Sequence, residues 1–218
     1  MVSNLPKSKF ATRTIHAGQS PDPTTGAIMT PIYASSTFVQ DSPGVHKGYE
    51  YARTGNPTRK AYEMCMADLE GGKSAFAFAS GLAAADTVLS LLNSGDEVLA
   101  MDDLYGGSRR LFENVRKRTS NLKFNFGDLS NNSNLEKLIT KNTKMIWVET
   151  PTNPMLKIVD LEYISKVAKK YNIITVADNT FCSPYIQRPI ELGFDIVVHS
   201  ATKFLNGHSD MVGGIVVC

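Results

Sequence analysis

"VVHSATKFLNGHSD", residues 197–210, passes within a few residues from apolar to small polar side chains around a lysine. Val197 and Val198 prolong an apolar run from Ile196, as a buried strand would. The run then breaks into Ser200, Thr202 and Lys203, with Asn206, Gly207 and His208 close behind. Lysine is seldom fully buried, because its ammonium group loses hydration unless it is paired or neutralised. Taken alone, the plain reading is a strand that surfaces and leaves Lys203 in solvent.

The residues around this stretch change that reading. From about residue 60 the chain alternates amphipathic helices with short apolar runs. Helices are expected over "TRKAYEMCMADLEG", "GLAAADTVLSLLN", "SRRLFENVRKR", "NLEKLIT" and "LEYISKVAKKY", with a helical turn near "RPIELG". Strands are expected over "SAFAFAS", "VLAMD", "KFNFGD", "MIWVET", "IITVADN", "DIVVHSA" and "GGIVVC". Near-continuous apolar strands between helices indicate an α/β fold, a mostly parallel sheet covered on both faces. In such sheets, ligands bind outside the carboxyl ends of the strands. Those ends carry Ser80 and Gly81, Asp102 and Asp103, Glu149, Asp178 and Asn179, and Ser200 to Lys203. Lys203 therefore stands among polar groups drawn from distant parts of the chain.

Composition excludes more than it selects. The 218 residues are 42% apolar and 20% charged, with a formal net charge of +2, a globular profile that names no charged partner. The basic run "RRLFENVRKR" interleaves Leu111, Phe112 and Val115 at helical spacing and reads as the wet side of a helix, so no nucleic-acid partner is expected. Cys65, Cys182 and Cys218 are few and far apart, and the four histidines show no metal-ligand spacing, so no metal is expected. No signal-peptide core or membrane-spanning run is apparent, which suggests a soluble protein of the cytoplasm. "LEGGKS" resembles the end of a phosphate-binding loop, but Ala67 stands where GxxxxGK(S/T) needs its first glycine. Residues 1–59 are different, rich in Pro, Gly, Ser and Thr yet dotted with Ile32, Tyr33, Phe38, Tyr49 and Tyr51. That mixture suits an extended N-terminal arm laid over another surface, with a large domain over residues 60–218.

The strand-end residues suggest a chemistry. A lysine that loses its proton in a partly dry site is a nucleophile toward aldehydes, and pyridoxal phosphate is the commonest cofactor held that way. Its site needs an acid facing the pyridine nitrogen, a phosphate cradle and often a stacked aromatic ring. Asp178 could be that acid, or it could merely cap the next turn. Ser80 and Gly81 open a helix whose backbone N–H groups suit a phosphate, although an ordinary N-cap is the plainer reading. Ser200 and Thr202 can point hydroxyls to one side, and Tyr105 could lie over a ring or pack locally.

With these residues assembled, the chain resembles the Cys/Met metabolism family of pyridoxal-phosphate enzymes through "YEYARTGNPTR", "ASGLAA", "DDLYGGS", "VETPTNP", "VADNTF" and "HSATKFLNGHSDMVGG". The resemblance implies an aspartate-aminotransferase-like (fold type I) large domain and pyridoxal 5'-phosphate as cofactor. It implies that Lys203 bonds covalently to the cofactor and shuttles protons, that Asp178 faces the pyridine nitrogen, and that Tyr105 stacks on the ring and, as a second catalytic residue, exchanges protons with the substrate or leaving group. The Gly81 and Leu82 amides, with Ser200 and Thr202, would bind phosphate; family members often have methionine where this chain has Leu82. Glu149 and Asn153 would support the pocket. Tyr51 and Arg53 would reach the phosphate of a neighbouring subunit in a homotetramer built from two dimers. Gly107 replaces the cysteine of methionine gamma-lyases, which argues against methionine as main substrate. "VETPTNPMLKIVDLE" is most similar to cystathionine gamma-lyases, implying cleavage of a sulfur-containing amino acid, cystathionine, to cysteine, 2-oxobutanoate and ammonia. Gamma-synthase, beta-lyase and an inactive cofactor-binding module remain alternatives. Family members continue beyond the position of Cys218 into a C-terminal domain. The chain is therefore expected to be a fragment without efficient turnover of its own, its last strand leaving the sheet unfinished.

Overall fold

The computed structural model describes residues 8–218, which divide into two compact units meeting between Leu69 and Glu70. In the first unit come α1 (Phe10–His16), the antiparallel pair β1 (Gln40–Ser42) and β2 (Val45–His46), and α2 (Pro57–Glu70), whose last residue opens the second unit. The segment read as turn-rich is held together by side-chain to backbone bonds. Asp22 Oδ1 accepts from the N–H groups of Thr24 and Thr25, each at 2.9 Å, while the Tyr33 hydroxyl donates to Asp22 Oδ2 at 2.7 Å. Tyr33 N donates to the Thr58 hydroxyl, which donates in turn to the Pro31 carbonyl. Helix α1 was not expected from the sequence: it has no side-chain cap, and Arg13 secures it instead through a 2.8 Å ion pair with Asp68 of α2.

The second unit continues with β3 (Ala75–Phe78), α3 (Gly81–Leu89), β4 (Glu97–Met101) and α4 (Gly106–Arg110). A π-helical stretch (Leu111–Arg116) leads into α5 (Lys117–Thr119), β5 (Lys123–Gly127), α6 (Asn132–Leu138) and β6 (Thr143–Glu149). Then follow α7 (Leu161–Tyr171), β7 (Ile174–Asp178), α8 (Ser183–Ile186), β8 (Ile196–Ser200) and β9 (Gly214–Val217). The single helix expected over residues 108–118 widens at its centre, where Phe112 is wholly buried between Phe124, stacked at 5.0 Å, and Trp147, edge-on at 5.3 Å. Two of its four arginines are engaged by neighbours: Arg109 lies over the Phe126 ring and Arg116 pairs with Asp86. The helical turn expected near Arg188–Gly193 is a run of three consecutive i→i+3 backbone bonds, and the short α8 precedes it.

Helix α7 shows why the local readings worked. Asp160 caps it by accepting from Tyr163 N, which stabilises a helix by about 1 kcal/mol. Leu161, Ile164, Val167 and Ala168 fall on one buried face, and Asn172 ends it in the left-handed region at φ 54°.

The seven strands run β3-β9-β8-β7-β6-β4-β5 across the sheet. Strands β8, β7, β6, β4 and β5 are parallel neighbours, while β9 is antiparallel to both β8 and β3, so β3 points the same way as the other five. The α/β fold with a mostly parallel sheet is thus present. One expectation is corrected. The last strand does not leave the sheet unfinished: β9 slots between β3 and β8 with all four residues buried, and the edges are β3 and β5. Its "GIVV" run is apolar throughout because both neighbours and both faces cover it. Register places Glu149 of β6 beside Asp178 of β7, so these two strands end in line, and Asp178 beside Val198 of β8, which runs two residues further to Ser200.

Candidate active site

At the carboxyl end of the sheet, a cleft of about 370 Å³ opens within the second unit. Gly81, Leu82, Tyr105, Glu149, Asn153, Asp178, Ser200, Thr202 and Lys203 all line it. Tyr51 and Arg53 belong to the first unit, where the Arg53 guanidinium lies 5.2 Å from the Tyr51 ring centre.

The start of α3 forms one wall. Ser80 is an extended N-cap whose hydroxyl accepts from Ala83 N at 3.1 Å. Helical geometry leaves the Gly81 and Leu82 N–H groups of the first turn without intrahelical acceptors, at the positive end of the helix dipole. A side chain at residue 81 would bring its Cβ to 2.7 Å from Ser200 Cβ, so only glycine lets this turn lie against the end of β8. The Ser200 hydroxyl has no partner among the described residues, whereas the Thr202 hydroxyl already exchanges bonds with Gly213 N and O.

Asp178 forms the floor. Its Oδ1 accepts from the Thr180 hydroxyl at 2.5 Å and from Thr180 N at 3.1 Å, and the same hydroxyl accepts from Ser200 N at 2.9 Å. Thr180 therefore ties the floor to the end of β8 and leaves the second Asp178 oxygen to the cleft. Burial raises the Asp178 carboxyl above its usual range, against the lowering effect of the Thr180 bonds. Beside it, burial and then the Asp178 charge push Glu149 up to about 8. Glu149 Oε2 accepts from Tyr105 N at 3.0 Å, which fixes the residue that begins α4. The Tyr105 ring folds over Gly107, where a Cβ would sit 2.4 Å from ring Cε1.

The loop bearing Asn153 is pinned from outside. Asp103 Oδ2 accepts from the Thr152 hydroxyl at 2.5 Å and from Met155 N at 2.9 Å, while Lys157 bridges Asp102 and Asp128 at 3.0 and 3.2 Å. Lys203 is exposed, as the plain reading had it, yet it lines the cleft, where it is the sole cationic side chain among the described residues. The sequence reading missed Thr180 and the pinning role of Asp103. The spacing Asp178-x-Thr180 is a side-chain turn signal that was available; nothing local marks Asp103.

An α/β sheet with an amine, a buried acid, an aromatic ring and an unspent helix N-terminus around one cleft defines a domain for an anionic aldehyde cofactor. The chain belongs to the family described as Cys/Met metabolism PLP-dependent enzyme, which it matches over residues 11–218. It is 63% identical over 216 residues to a cystathionine beta-lyase of Coxiella burnetii (strain RSA 493 / Nine Mile phase I), covering 99% of this chain and 56% of that protein. It is 51% identical to a probable cystathionine gamma-synthase of Herpetosiphon aurantiacus, covering 95% of this chain and 65% of the relative. Among solved structures, cystathionine gamma-lyase from Lactobacillus plantarum complexed with L-serine superposes with a TM-score of 0.94 at 50% identity, over 96% of this chain and 55% of that one. The chain thus spans little more than half the length of these relatives.

The residues present fit the family's cofactor, pyridoxal 5'-phosphate. The hydrogen at Gly81 leaves room beside two free N–H groups and the Ser200 hydroxyl, and Asp178 keeps one oxygen free at the floor. No helix among the described residues is long and apolar enough to cross a membrane.

Proposed function

We propose that this chain supplies the cofactor-binding part of a pyridoxal-phosphate-dependent enzyme that breaks a carbon–sulfur bond in cystathionine, by gamma-elimination to cysteine, 2-oxobutanoate and ammonia. The observation that supports it most is the convergence of Lys203, Asp178 and the α3 N-terminus on one cleft. When bound, the cofactor supplies an electron sink for the substrate's alpha carbon. Lys203 Nζ holds the cofactor and moves protons at the substrate carbons. Asp178 keeps a proton on the ring nitrogen. Glu149, pushed up to about 8, is mostly protonated at neutral pH, so it adds no second charge beside Asp178 while it orients Tyr105. Tyr105 covers the ring, and Asn153 lines the same cleft.

No guanidinium lines the cleft among the described residues, although a phosphate dianion would gain from one. Tyr51 and Arg53 of a neighbouring copy supply that contact in our reading, within a homotetramer whose first segment acts as an arm. Three free thiols and no disulfide among the described residues suit a cytoplasmic setting.

The direction of cleavage rests on "VETPTNPMLKIVDLE" and on Gly107. A beta-lyase reading is favoured by the Coxiella relative. Incubating cofactor-loaded protein with cystathionine separates them: cysteine with 2-oxobutanoate is expected, whereas homocysteine with pyruvate would establish the beta-lyase. Formation of cystathionine from an activated homoserine ester and cysteine would establish the synthase. Borohydride reduction should fix the cofactor to Lys203, and failure to label it would refute the site itself.

A further inference from the structure

Glu149, Asp178 and Ser200 end three adjacent strands and face the cleft. Each has a chain neighbour, Thr150, Asn179 or His199, whose side chain is fully buried and does not line the cleft. Side chains alternate along a strand, so these neighbours lie on the other face of the sheet. There Asn179 and His199 join one network, which also reaches the Thr150 carbonyl. Glu70, the last residue of α2, is wholly buried, and its Oε1 meets both His199 Nε2 and Asn179 Nδ2, the latter at 3.0 Å. Asn179 also donates to Gln187 O at 2.8 Å. Gln187 Nε2 returns a bond to Asn179 Oδ1 at 2.9 Å and reaches Thr150 O at 3.3 Å. Glu70 Oε2 and His199 Nδ1 are buried and find no partner among the described residues.

A buried pair with an orphaned atom on each side is a poor way to gain stability, since apolar side chains of similar volume commonly do as well. Its placement suggests another use. We infer that Glu70 is a positioning residue for the cofactor: it clamps His199 and Asn179 from behind the sheet and so holds Ser200 and Asp178 at the spacing that the phosphate and the ring nitrogen require. Thr180 makes the matching link on the cleft face, between Ser200 N and Asp178 Oδ1. The two strand ends are thus tied on both faces. Sites held on strands and locked by packed neighbours keep sub-ångström geometry that loops do not.

This inference rests on the cofactor site proposed above, and the experiment separates the two. The full chain and its Glu70→Leu and Glu70→Gln variants are titrated with pyridoxal phosphate, and the dissociation constant and the visible circular dichroism of the bound cofactor are recorded. Leucine removes the acceptor, whereas glutamine keeps an oxygen for Asn179 and His199. Glu70→Leu is expected to weaken binding by about tenfold, the worth of one lost buried hydrogen bond, and to diminish the dichroic band. Glu70→Gln should restore most of both. A folded Glu70→Leu chain that binds within twofold of the unaltered protein, with the same band, would overturn the inference. Should that variant fail to fold, histidine-labelled NMR of the unaltered chain decides: His199 ring signals that move on loading support it, and signals that stay fixed overturn it. An unaltered chain that takes up no cofactor at Lys203 overturns the site assignment and this inference together.

Discussion

The two faces of the sheet meet at the same three strand ends and treat polar groups in opposite ways. Toward the cleft, the Ser200 hydroxyl, one Asp178 oxygen and the first N–H groups of α3 keep hydrogen-bonding capacity in reserve. Behind the sheet, Asn179 uses its carbonyl oxygen and both amide hydrogens, and solvent reaches neither it, Glu70 nor His199. Capacity left open toward the cleft has no folding role to lose and is available to a ligand. Capacity already spent is structural, and removing it leaves its partners stranded.

That contrast predicts which substitutions damage binding and which damage stability. The largest effect is expected on the open face. Lys203→Ala should abolish covalent retention of the cofactor, read by mass spectrometry after borohydride, with unfolding free energy within about 0.5 kcal/mol of the original. A large loss of stability would mean that Lys203 is structural after all. On the closed face, Asn179→Ala should cost roughly 2–4 kcal/mol in urea unfolding, because Glu70 and Gln187 each lose a buried partner. A cost under about 1 kcal/mol would erase the distinction between the faces.

Glu149 tests the boundary between them. With its folded-state carboxyl at about 8 against an ordinary value of 4.5, the folded chain keeps a proton that the unfolded chain releases. Its contribution therefore makes stability fall as pH rises from 4.5 to 8 and level off above that. Glu149→Gln should remove that slope in urea titrations at successive pH values. An unchanged slope would assign the pH dependence to other groups. The smallest effect is expected at the helix start: Ser80→Ala removes the acceptor for Ala83 N and should cost about 1 kcal/mol, seen as a small fall in Tm. No change would show that the cleft wall holds without its cap.

The same contrast explains what could be read from the sequence. Strands β4, β6, β7 and β8 announce themselves by apolar runs, and the ligand side follows from where those runs stop, so Asp178, Ser200 and Lys203 were legible through local pattern. Helix α7 was read to the residue because its caps and its buried face agree. The closed face was illegible for the opposite reason. Glu70 and His199 are 129 residues apart, and nothing in "ADLEG" distinguishes a buried glutamate from a solvated one. Helix α1 depends on an ion pair made 55 residues away. The widened turn at Leu111–Arg116 has no residue type that marks it, and the place of β9 is set by pairing, which an apolar run alone does not reveal.

The position of β9 also sets an order of events during synthesis. Residues 75–78 and 196–200 lead to the Gly81 and Ser200 walls of the cleft, and within the sheet they are joined only through residues 214–217. As the chain leaves the ribosome, the parallel core from β4 to β8 can associate while β3 still waits for its neighbour. Closing that gap spans about 140 residues, the kind of distant pairing that slows folding. The nascent chain therefore exposes one side of β8 to other strands until residues 214–217 emerge, and only then can Gly81 come to rest against Ser200.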